Sequence, residues 1–84
     1  MKRTNYVGID VGKKRCAECV TDEKGEILQE LTYVNTRSGI EGLAETLASY
    51  GESAAVLEST GNLWLKTYET LEAHGVPVKL ANPL

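Results

Sequence analysis

The chain has 84 residues, 42% hydrophobic and 25% charged, the balance of an ordinary soluble globular protein. That length allows a single domain, residues 1–84, with a small core. Its net charge of −3, from 9 basic and 12 acidic residues, speaks against a dedicated DNA-binding module, which is normally basic, but not against a catalytic domain carried to nucleic acid by other segments.

No apolar run approaches the roughly 20 residues of a membrane span. Met1-Lys2-Arg3 leads into polar Thr4 and Asn5 rather than a signal-peptide core. A cytoplasmic protein without membrane contact is therefore expected.

In chain order, Tyr6-Val7-Gly8-Ile9-Asp10-Val11-Gly12 is apolar except for one carboxylate. It reads as a buried strand over residues 5–11. Burying a lone carboxylate is costly, so Asp10 is expected to have a metal, a cation or a dense hydrogen-bond set as partner. Gly12-Lys13-Lys14 suits a tight turn into an antiparallel strand over 15–21, and Asp22-Glu23-Lys24-Gly25 suits a second turn. A third strand follows over 26–34, with Ile27, Leu28, Leu31, Tyr33 and Val34 as its apolar content. Lys13-Lys14-Arg15 is the one dense basic cluster. It is either a solvated turn or a contact for backbone phosphates. Cys16 and Cys19 form a lone C-x-x-C, short of the four ligands of a zinc site. On a strand they point to opposite faces, which fits two ordinary thiols in a reducing compartment.

Ser38-Gly39-Ile40-Glu41 fits a capping box with Ser38 at the cap. Ile40, Leu43, Ala44 and Leu47 follow at helical spacing, and Tyr50-Gly51 ends the helix. Residues 53–57 form a short apolar strand between two helices, hence a parallel one, and Glu58 ends it. A second helix is predicted from near Gly61, with Trp64, Leu65, Tyr68 and Leu71 as its apolar stripe. His74 at its C-terminus is read as a cap rather than a catalytic group. Val76 to Leu80 is the last strand. Right-handed crossovers place the two later strands beside the first, giving sheet order 3-2-1-4-5, the ribonuclease H-like α/β arrangement.

That order sets Asp10 and Glu58 near the carboxyl ends of neighbouring parallel strands, where open α/β sheets bind ligands. Two close carboxylates repel, and a divalent cation relieves the conflict. Mg²⁺ takes hard oxygen ligands, and paired ions support phosphodiester cleavage. A helix starting near Gly61 would add free N–H groups for a phosphate. Gly8 and Gly12 would allow close approach of a ligand or strand. Position alone leaves Glu58 a second reading, the exposed last residue of a strand.

Three segments carry a resemblance over essentially the whole chain: Tyr6 to Lys14, Leu57-Glu58-Ser59-Thr60-Gly61, and Val78-Lys79-Leu80-Ala81-Asn82-Pro83. They resemble the start of bacterial insertion-sequence transposases of the DEDD type, the IS-one-ten group, relatives of the pilin-gene inverting recombinase. The resemblance implies a RuvC-like domain of ribonuclease H-like fold. Asp10 and Glu58 would be the first D and the E of its four acids, catalytic and metal-binding, with Mg²⁺ (or Mn²⁺) as the ion. Apart from the resemblance, Lys13, Lys14, Arg15 and Thr60 are the candidate nucleic-acid contacts. By the same resemblance DNA and a guide RNA would be partners, while the exposed apolar sheet surface of a truncated fold suggests association with further copies of the chain.

Gly12 stands where the family often has Ser. The second acidic pair and the C-terminal domain with its proposed serine fall beyond Leu84, so an N-terminal fragment, inactive by itself, is expected. The competing readings are a nucleotide-binding piece of a sugar kinase or actin-like ATPase, which also opens on a strand with Asp-x-Gly, and a non-catalytic assembly stub. Against the former, Lys13-Lys14-Arg15 stands where those proteins usually have Gly, Thr or Ser.

Overall fold

A computed structural model describes residues 4–59 and 61–81. Seven elements follow in the order β1 (Asn5–Val11), β2 (Arg15–Thr21), β3 (Ile27–Val34), α1 (Arg37–Ala48), β4 (Ser53–Ser59), α2 (Leu65–Ala73) and β5 (Val78–Leu80). The five strands form one sheet in the order β3-β2-β1-β4-β5, as expected. β1 pairs antiparallel with β2 and parallel with β4. β2 pairs antiparallel with β3, and β4 pairs parallel with β5. The two helices supply the crossovers, each leading into a parallel strand.

Strand alternation decides which side chains meet the helices. Val7, Ile9 and Val11 of β1 and Ala55 and Leu57 of β4 are buried, in one cluster with Ile40, Leu43, Ala44 and Leu47 of α1 and Leu71 of α2. Both helices therefore cover the same side of the sheet. The opposite side carries Tyr6, Gly8 and Asp10 from β1 and Val56 and Glu58 from β4, all exposed. The parallel half of this sheet is covered on one face only, whereas parallel sheets normally have both faces covered. As a result Tyr6 is 51% and Val56 46% exposed.

Several local expectations are corrected. The cap of α1 is Thr36, not Ser38: the Gly39 N–H donates to Thr36 Oγ1 at 3.2 Å. The chain turns directly out of β3, with the Thr36 N–H on the Val34 carbonyl at 2.8 Å. A Cβ on Gly39 would overlap that same carbonyl oxygen, so the turn needs glycine there. Thr36→Ala is accordingly expected to cost about 1 kcal/mol, and Ser38→Ala to stay within about 0.5 kcal/mol of wild type. Urea unfolding of the two variants checks this, and a larger loss in Ser38→Ala than in Thr36→Ala would return the cap to Ser38.

β4 runs on through Glu58 to Ser59, so Glu58 lies inside a paired strand rather than ending it. α2 starts at Leu65, not near Gly61, because residues 61–64 form turns, with Gly61 at a φ of +61°. Leu65, expected in its apolar stripe, is 45% exposed, while Thr67 is fully buried. β3 begins at Ile27 and β5 at Val78, each later than predicted, and Ile27, Leu28 and Val34 are exposed. His74 does close α2. Its Nδ1 lies 2.8 Å from the Thr70 carbonyl, and its Nε2 lies 3.4 Å from Glu41 Oε2 on α1.

Candidate metal and nucleic-acid site

Asp10 and Glu58 face each other directly in the parallel β1–β4 register. Neighbouring strands lie about 4.8 Å apart, so residues in register on one face are side by side. Both side chains point to the uncovered face, at the carboxyl end of their strands. Asp10 was expected to be buried, and it is exposed. The reason is parity: Val7, Ile9 and Val11 take the helix side, and Asp10 shares the other with Gly8 and Tyr6. Its interest therefore lies in its neighbour rather than in desolvation.

Among the described residues neither carboxylate has a hydrogen-bond or ion-pair partner. They line a cavity of about 610 Å³ whose floor includes Gly8, Ala17, Cys19 and Val56. Space above Gly8 is open, with nothing within 4 Å of a Cβ placed there, so this glycine does not serve close approach within the chain. Two carboxylates in register, lining an open cavity and without a partner among the described residues, fit a hard divalent cation that keeps several waters. Among the described residues no group of three or more His, Cys, Asp or Glu side chains is placed to hold a metal ion. The pair thus supplies part of a coordination shell.

Gly12 to Arg15 forms the β1–β2 turn, at the same end of the sheet as the carboxylates. The side chains of Lys13, Lys14 and Arg15 are all exposed. Alternation along β2 puts Arg15 on the acid-bearing face with Ala17, the cross-strand partner of Asp10. Thr60 lies outside the described residues. The N–H groups expected from a helix starting at Gly61 are not presented in that way, since α2 begins four residues later. Cys16 is buried and Cys19 half-buried; both are free thiols on opposite faces of β2.

Sequence reasoning passed over Glu18. It lies on the helix-covered face between buried Cys16 and Val20, opposite Ile9 and Leu31, and is 3% exposed. Among the described residues neither carboxylate oxygen has a hydrogen-bond partner. Burial pushes its pKa from 4.5 up to about 7. Nearby Tyr33 is also raised, first by burial, although its hydroxyl shares a hydrogen bond with Thr67 Oγ1 at 3.3 Å. The available signal was parity: Glu18 occupies an apolar-phase position of an otherwise alternating strand.

No helix among the described residues is long and apolar enough to cross a membrane. No curated protein matches the chain. A solved structure from Aquifex aeolicus, described as a member of the Ppx/GppA protein family, is 16% identical with a TM-score of 0.48; the match covers 98% of this chain and 36% of that one. A family model for transposases of the DEDD, IS110 type matches residues 7–84, taking in β1 with Asp10, the basic turn and β4 with Glu58. The chain belongs to this DEDD transposase family.

Proposed function

We propose that this chain is the N-terminal part of the catalytic domain of a DNA transposase, with Asp10 and Glu58 as two ligands of a divalent metal site for phosphodiester cleavage and strand transfer. The observation that carries the reading is the Asp10–Glu58 register on the uncovered sheet face. Mg²⁺ or Mn²⁺ held there supplies Lewis acidity at the scissile phosphate. The protein's own contribution is positional. β1 and β4 are central, paired on both sides, and hold the two carboxylates at a spacing set by the backbone ladder. Lys13, Lys14 and Arg15 offset the negative charge that a phosphate backbone meets on approaching two carboxylates.

With two of the family's four acids, these 84 residues alone are expected to bind metal weakly and to cleave little DNA. The intact protein is expected to act in the cytoplasm, as an oligomer, on the ends of its mobile element and on target DNA. A guide RNA enters only through the family resemblance.

Ligands that bind only the native state raise its melting temperature. Mn²⁺ at millimolar concentration is therefore expected to raise that of the intact protein, and Asp10→Asn to remove the shift. A shift with ATP that does not need Mn²⁺ would instead favour a nucleotide-binding domain and overturn the proposal.

A further inference from the structure

The β1–β2 turn is held more firmly than its exposure suggests. The Gly12 N–H donates to the Arg15 carbonyl at 3.1 Å, closing the turn. A Cβ on Gly12 would overlap that carbonyl oxygen, so only glycine allows the closure. From the far side of β2, Asn35 reaches the turn twice. Its Nδ2 donates to the Gly12 carbonyl at 2.9 Å, and its backbone N–H donates to the Lys14 carbonyl at 2.8 Å. Asn35 is half-buried, and its buried Oδ1 has no partner among the described residues. Among the described residues, none of the three cations has an ion-pair partner.

We propose that the Gly12–Arg15 turn is a preorganised phosphate-binding element for a nucleic-acid strand entering the Asp10–Glu58 site, and that Asn35 is its positioning residue. The proposal rests on the nucleic-acid reading above. Three of the chain's 9 basic residues stand on this one turn, in a protein whose net charge is −3. A polyanion is otherwise repelled from a rim bearing two carboxylates, so the local cations decide where it can approach. Fixing the backbone beforehand lowers the ordering cost of binding. Asn35 provides that rigidity from outside the turn, without adding or removing charge.

The test is fluorescence anisotropy of the intact protein with labelled duplex DNA, in EDTA, over a range of salt. Wild type is expected to lose affinity linearly in log K against log salt. The Lys13→Gln/Lys14→Gln/Arg15→Gln variant should reduce that slope by roughly 2–3, about 0.9 for each phosphate contact removed. Asn35→Ala keeps every charge, yet should reduce the slope by about 1 and the affinity several-fold. Asn35→Asp should also weaken binding, because its carboxylate cannot donate to the Gly12 carbonyl. Circular dichroism establishes that the variants are folded.

No salt-dependent binding by wild type would overturn the nucleic-acid reading itself. Binding with an unchanged slope in the triple variant would overturn the turn's role alone. A reduced slope in the triple variant with wild-type behaviour in Asn35→Ala would remove Asn35 from it. Failure of both Asn35 variants to fold would make Asn35 a folding determinant and overturn its assignment as a positioning residue. Tighter binding of free nucleotides or inorganic polyphosphate than of DNA would transfer the site to another phosphate ligand.

Discussion

Asp10→Asn is expected to lower metal-dependent DNA cleavage by the intact protein at least about 100-fold, since even residues that only orient metal ligands cost 10- to 100-fold when changed. It should do so without loss of stability. Asp10 is exposed and has no partner among the described residues, so no contact among them depends on its charge. Asp10 and Glu58 are directly opposed across β1 and β4, and like charges so placed destabilise a sheet. The metal-free Asn variant is therefore expected to melt at or slightly above the wild-type temperature. Added Mn²⁺ should reverse the order by stabilising wild type alone. A functional group that destabilises its fold until ligand arrives gives this crossed pattern, whereas an ordinary surface carboxylate gives none. Cleavage by the variant within a few-fold of wild type would remove Asp10 from the site. Parallel melting curves with and without Mn²⁺ would remove the metal.

The placement of Asp10 beside Glu58 was legible in the sequence because it follows from topology. Three strands in a meander, then two helical crossovers, allow few sheet orders once crossovers are right-handed. The burial of Asp10 was not legible in the same way. An apolar strand reads as covered on both sides, but Tyr6 and Gly8 share its face, and the helices lie on the other side. Whether a face is covered depends on elements distant in sequence. The same limit applies to Thr67: on a helical wheel it is a polar residue, and the hydrogen-bond partner of its buried hydroxyl, Tyr33, lies 34 residues away. The cap of α1 was missed for a local reason. Ser38 and Glu41 match a capping box, but the tight turn out of β3 brings Thr36 to the Gly39 N–H first. Asn35 carried no signal at all, since its hydrogen bonds reach a turn more than twenty residues earlier.

Glu18→Gln is expected to flatten the pH dependence of stability and to stabilise the chain at pH 8. The Glu18 carboxyl is buried without a hydrogen-bond partner among the described residues, and its pKa rises from 4.5 to about 7. Between those values the native state keeps a proton that the unfolded state has released. The native state then binds more protons, so unfolding free energy falls as pH rises from about 4.5 to about 7. The stability contributed by the protonated form is complete below 4.5 and lost by the time pH passes 7. A shift of this size corresponds to about 3 kcal/mol, a large share of the roughly 5–15 kcal/mol that holds a typical domain together. For a domain of this length that is about 12–24 °C in melting temperature. Glu18→Gln cannot ionise, and Glu18→Leu in addition removes a buried polar group lying opposite Ile9 and Leu31. Both should melt higher than wild type at pH 8, the leucine variant above the glutamine variant, and both should converge with it toward pH 4. Other carboxylates also titrate at the lower end of this range, so the difference between wild type and variant isolates Glu18. A difference that stays constant from pH 4.5 to 8 would show that Glu18 is ionised throughout, held by a partner such as a cation or ordered water.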